Sequence, residues 1–266
     1  MALTTIGLMA LLGCFTGFMA GGGMIITPFL IMLIPSSLIP HDHIVHVAIA
    51  TSLATIAFTS LSSVRAHHKR GAVLWNVVAS VAPGILVGAV VGAQIAGWLP
   101  TFWLSLIFAA FVGFSAFKMF LNKSPRPDRN LPGTIGKFFM GIAIGILSAL
   151  VGAGGGFISV PWMIWCNVKM QNAVATSAAF GFPIALFGTI GYIISGWNVS
   201  GLPPWPIDLG YICIPALFSV AITSVLFAPL GAKVAHSIDT KPLKKIFACL
   251  LCFVCLYMIR QACLAM

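Results

Sequence analysis

Apolar runs alternate with short polar interruptions along the whole chain, and each run is long enough to form a helix. They cover approximately residues 3–20, 24–35, 44–64, 72–98 and 101–121, then 134–151, 157–167, 171–196, 207–233 and 242–262. Between the two sets lies Asn122-Lys123-Ser124-Pro125-Arg126-Pro127-Asp128-Arg129, a basic, proline-rich linker. At ~1.5 Å per residue, runs 72–98 and 171–196 can tilt across the ~30 Å hydrocarbon layer of a bilayer. Runs 24–35 and 157–167 make helices of only ~16–18 Å, about half that thickness.

Five runs, a linker and five more runs outline an internal repeat. Gly21-Gly22-Gly23 with Pro28 aligns on Gly154-Gly155-Gly156 with Pro161 at an offset of 133. Ala48-Ile49-Ala50-Thr51-Ser52 aligns on Ala173-Val174-Ala175-Thr176-Ser177 at 125, and Gly92-Ala93 on Gly231-Ala232 at 139. The offset changes where loops are expected, at 36–43 and 197–206. The chain therefore divides into a first repeat (1–121), a basic linker (122–133) and a second repeat (134–266).

The glycine runs carry the most physical information. Each glycine costs about 1 kcal/mol relative to alanine in a helix interior, so three adjacent ones read as a deliberate break. In a membrane such a break is tolerated only where protein or a cavity covers the freed backbone. Close helix packing is the competing use of glycine, but packing usually spaces small residues apart. Each break joins a longer helix to a half-length one, which predicts a hairpin whose tip can stop inside the bilayer.

Composition turns this pattern into a membrane protein. The 266 residues are 60% hydrophobic and 7% charged, against about 25% charged in soluble domains. There are 14 lysines and arginines but four acids, Asp42, Asp128, Asp208 and Asp239, giving a net charge of +10. If each hairpin returns to its starting side and every other run crosses, all the basic residues except Arg260 fall on one side. The positive-inside rule makes that side cytoplasmic and both termini external. The basic balance thus reports topology and no nucleic-acid partner. An odd number of runs per repeat turns the second half upside down, an architecture used by transporters. The first twenty residues lack a basic n-region and a good cleavage site, so they are expected to remain in the protein.

The candidate chemistry is anion binding. A helix starting just after a glycine tip points its unpaired amides and positive dipole end into the gap. This nominates Gly21, Gly22, Gly23, Gly154, Gly155 and Gly156 as substrate-binding residues, with Pro28 and Pro161 expected in the first helical turn. Thr51, Ser52, Thr176 and Ser177 add hydroxyls that can donate to anionic oxygens; bonding between helices is their other use. No acid lies within a predicted span, so the usual cation and proton relays are missing. His46 is the one candidate for proton coupling. No metal or cofactor motif is read. An inside-negative potential favours anion exit by ~2.3 kcal/mol per charge per 100 mV, so export can proceed without a coupling ion.

These residues carry a family resemblance. The tandem glycine breaks with their prolines and the A-x-A-T-S blocks resemble the TauE/SafE family of sulfite and organosulfonate exporters. Gly152 to Pro161 is the most family-like stretch, followed by Ala173 to Ser177 and by Gly231-Ala232-Lys233-Val234-Ala235-His236. The first half departs from it, with Met19 where the second has Gly152. The resemblance implies an all-α permease of the bacterial inner membrane that exports sulfite, sulfoacetate or related sulfonates. Its partners are then a small anionic substrate and the bilayer; an anion channel on the same scaffold, and assembly as a homo-oligomer, are left open.

A membrane redox enzyme is the rival from another class, resting on the spacing of Cys249, Cys252 and Cys255. Cysteine in an apolar helix also behaves as a small hydrophobe. Replacing all three by alanine should leave transport nearly unchanged, as vesicle flux would show; loss of function would favour the redox reading.

Overall fold

The computed structural model describes residues 3–18, 23–34, 39–121, 130–197, 199, 209–237 and 240–264. The chain there forms helices α1 (Leu3–Phe18), α2 (Gly23–Leu33), α3 (Ile44–Lys69), α4 (Trp75–Trp98) and α5 (Thr101–Leu121). The second half supplies α6 (Thr134–Val151), α7 (Gly156–Trp165), α8 (Met170–Gly196), α9 (Ile214–Ser237) and α10 (Thr240–Leu264). Among the described residues the only β pairing is an isolated bridge between Leu209 and Ile212. Helices α3, α4, α5, α6 and α8 are long and apolar enough to cross a membrane. The exterior of the bundle agrees: Leu11, Phe114, Phe139, Leu226 and Leu256, from five different helices, are each more than half exposed, as a hydrocarbon surrounding accommodates.

Two helix ends differ most from the sequence expectation. Helix α3 runs five residues further, to Lys69, because His67, His68 and Lys69 complement the negative end of its dipole. Helix α9 starts at Ile214 instead of 207, after the turn closed by the Leu209–Ile212 bridge. The prolines also need correction. Pro28 and Pro161 lie inside α2 and α7, at the sixth residue of each, and not in the first turn. Each removes one internal hydrogen bond from an already short helix.

Helix α4 packs parallel to α6 through bare backbone. A Cβ placed on Gly84 would sit 2.0 Å from the Phe138 carbonyl oxygen, on Gly88 2.3 Å from that of Ile142, and on Gly92 2.8 Å from that of Ile146. Gly141 and Gly145 return the same approach from α6. Packing of α1 on α9 repeats it: Gly13 faces the Val220 carbonyl as Gly141 faces that of Val81, and Val81 to Val220 is again a step of 139. The other glycine pair, Gly181 and Gly188 of α8, lies against Ser60 and Leu53 of α3. The numbering descends on one helix as it rises on the other, so α3 and α8 are antiparallel. Helix α10 rests on α5, where the Cys255 thiol donates to the Ala109 carbonyl at 3.3 Å while Cys249 and Cys252 are exposed.

Gly88 supplies the fold's test. Alanine there gains about 1 kcal/mol in helix propensity, but its methyl meets backbone that no rotamer change can move. Gly88→Ala should therefore lower thermal stability, by roughly the 1–3 kcal/mol of an overpacked core, in a melting measurement on the purified protein.

Candidate functional site

The second glycine run is a helix break. Helix α6 ends at Gly152 (φ +64°), and α7 begins after Gly155 (φ +75°). Both angles are left-handed, which glycine adopts without the penalty of a side chain. The carbonyl end of α6 is thoroughly satisfied. The amides of Gly152 and Ala153 donate to the Ser148 carbonyl, the Tyr192 hydroxyl to that of Ala149 (3.1 Å), and Ser52 to that of Gly152 (3.2 Å). The amide end of α7 is treated differently, because Gly155 offers no side-chain cap. The α6 end is thus damped by four donors, while α7 starts without a side-chain cap.

Buried hydroxyls surround this end. Ser159 donates to the Gly155 carbonyl and to Ser177 Oγ, both at 2.9 Å, and Ser177 Oγ lies 3.3 Å from the Cβ position of Gly156. Two more have no hydrogen-bond partner: Thr27 Oγ1, 2.9 Å from the Cβ position of Gly152, and Ser148 Oγ, 3.4 Å from that of Gly155. Both residues are buried. Unpartnered hydroxyls in a dry interior cost about 1–3 kcal/mol each, and these two flank the break, Thr27 at the end of α6 and Ser148 at the start of α7. The same positions meet Ile49, Ile56, Ile144 and Ile184, so isoleucines close the break in this conformation.

The sequence-predicted residues divide among three places. Ser52, Gly154, Gly155, Gly156 and Ser177 meet at the break. Thr51 and Thr176 serve helix starts instead: Thr51 Oγ1 accepts the Cys213 amide ahead of α9, and Thr176 Oγ1 the Leu74 amide ahead of α4, each at 3.0 Å. Leu74 to Cys213 is the same step of 139. Each half therefore caps the fourth helix of the other. Gly21 and Gly22 lie outside the described residues, and Gly23 opens α2.

His46 lies apart from the break. Its Nε2–H donates to the carbonyls of Ala96 (2.9 Å) and Leu99 (3.0 Å), and its ring stacks on Tyr211 at 5.2 Å. It ties the start of α3 to the end of α4. His43, beside it, has its pKa lowered by burial against the opposing pull of Asp42.

Sequence reasoning missed Thr27 and Ser148 because it sought residues present in both halves. At the offset of 133 they align with Val160 and Phe15. Their signal was a lone hydroxyl beside a break in an apolar run: Thr27 adjoins Pro28, and Ser148 is one turn before Gly152.

An apolar exterior and a helix broken among buried hydroxyls fit a membrane transport protein. Residues 5–258 match the family model for the sulfite exporter TauE/SafE, and the chain belongs to that family. A probable membrane transporter protein of Haemophilus influenzae is 33% identical over 261 residues, 96% of this chain and 98% of that one. The probable membrane transporter protein YdhB of Bacillus subtilis is 32% identical, covering 71% of this chain and 78% of its own. Another, MJ0441 of Methanocaldococcus jannaschii, is 27% identical over 91% of this chain and 89% of its own. No solved structure matches the chain.

The threonine caps generate a prediction. Thr51→Val and Thr176→Val should each reduce stability by the ~0.5–2 kcal/mol of a lost cap. Thr51 should cost more, since its bond is fully buried and that of Thr176 only partly. Serine at either position should restore the melting temperature.

Proposed function

We propose that the protein exports small sulfur oxyanions, such as sulfite, sulfoacetate or another organosulfonate, from the cytoplasm by alternating access. The observation that carries the reading is the partnerless hydroxyl of Ser148 beside Gly155, where α7 starts without a side-chain cap, with that of Thr27 beside Gly152 at the other end of the break. A helix start favours an anion by its dipole and amides without a buried cation. Hydroxyls then donate to the oxygens, while the closed isoleucine wall keeps water out.

The packing supports a rocking mechanism. The repeat mates α3 and α8 lie antiparallel, as two inverted halves require, and the reciprocal caps make each half a clamp on the other. In this reading the protein sits in a bacterial inner membrane with both termini periplasmic and its basic loops inside. Export is the direction that the membrane potential drives unaided. The sulfur class comes from the family; the site itself selects an oxyanion.

Ser148→Ala tests the site without harming the scaffold. Its hydroxyl serves no protein partner, so its loss should keep or raise the melting temperature while lowering sulfite or sulfonate uptake into inverted vesicles. The loss should approach ~10-fold, about one hydrogen bond. Gly155→Val should abolish uptake through left-handed strain and collision with Ile184, whose Cδ1 lies 2.5 Å from the Cβ position. Normal uptake in Ser148→Ala, together with unchanged substrate affinity, would remove the break from the mechanism.

A further inference from the structure

A second cavity, of about 560 Å³, lies at the far end of α3 and is lined by Leu61, Ser62, Val64, Arg65, His68 and Trp75. Residues 58, 61, 62, 65, 68 and 69 recur at helical spacing on one face of α3. That face changes character along its length. Phe58 and Leu61 are about half exposed (51% and 52%) and apolar; Ser62 follows, then Arg65, His68 and Lys69. From Phe58 to Lys69 is ~16 Å of helix, passing from hydrocarbon contact to cationic ends.

The groove is built by a fixed turn. Gly71, at φ +64°, donates to the His68 carbonyl at 2.9 Å and folds the chain back into α4. Trp75, the first residue of α4, then closes the other wall. Its indole N–H donates to His68 Nδ1 at 3.1 Å. An indole nitrogen can only donate, so His68 accepts at Nδ1 and keeps Nε2–H as its donor. Among the described residues no acid faces Arg65, His68 or Lys69; Asp42, the one acid described, sits before the opposite end of α3.

We propose that this groove binds an acidic phospholipid, with the phosphate on Arg65, Lys69 and His68 and the acyl chain along Leu61 and Phe58. Charge complementarity chooses the headgroup, since basic residues at a membrane boundary attract anionic lipids and an interfacial tryptophan anchors there. The apolar continuation chooses a lipid over a soluble anion: a small hydrophilic solute would leave Leu61 and Phe58 uncovered, whereas a chain covers them. The site is independent of the glycine break and stands whatever passes through it.

Delipidated full-length protein in mild detergent, titrated with phosphatidylglycerol or phosphatidylcholine and followed by native mass spectrometry and melting temperature, tests this. Phosphatidylglycerol should bind more tightly and stabilise more. The preference should fall by about fivefold for each cation removed in Arg65→Gln and Lys69→Gln, both exposed positions. For the wild type, high salt should shrink the same preference, a readout that needs no variant. Equal binding of both lipids, or a preference untouched by the substitutions, would overturn the proposal. So would an equal Arg65-dependent shift from glycerol phosphate, which would make the groove a mouth for soluble anions.

Discussion

A backbone broken inside hydrocarbon must find partners for every amide and carbonyl it frees, and this constraint shapes the centre of the molecule. Unsatisfied polar groups cost several kcal/mol in a medium that cannot hydrogen-bond. The carbonyl end of α6 meets the demand with donors from three sources: its own left-handed cap, Tyr192 from α8 and Ser52 from α3. Holding those partners in place requires α3 and α8 to cross beside the break. Glycines on α8 let the two helices approach there. The tight crossing and the polar solution are one arrangement.

The same economy governs the helix starts at the two ends of the bundle. Helices α4 and α9 begin in partly or fully buried positions, where their first amides need acceptors. Each finds the threonine of the opposite half, at positions related by the internal repeat. A chain that duplicated and interlocked in this way cannot separate its halves without uncapping two helices. These bonds lie on α3 and α8, the helices that carry the crossing.

The helix pattern and the second break were legible in the sequence because each leaves a local signature: apolar runs and stacked glycines. The step of 139 that aligned Gly92 on Gly231 also relates Val81 to Val220 and Leu74 to Cys213 in space. Polar roles were less legible. Thr51 and Thr176 were read for the donors they carry, yet the fold uses their oxygens as acceptors, a choice set by distant residues 213 and 74. Thr27 and Ser148 were passed over because duplication was taken as the mark of function. A binding site shared by two halves need not be symmetric in its side chains, since one ligand occupies it.

That asymmetry bears on how an anion could be both held and released. A buried arginine would bind a sulfonate strongly, and its own desolvation would have to be met again each time the ligand left. A helix start and neutral hydroxyls carry no full charge, so the empty site returns to a dry, closed state at far lower cost. Here the isoleucines perform that closing, with Ile184 and Ile144 against Gly155 and Ile49 against Gly152. Partnerless hydroxyls at Ser148 and Thr27 keep the empty site slightly unfavourable, by about 1–3 kcal/mol each. That penalty is recovered when an oxyanion supplies the missing acceptors. On the proposed function, ligand and isoleucine wall would occupy the same space in turn, so that neither needs a buried charge.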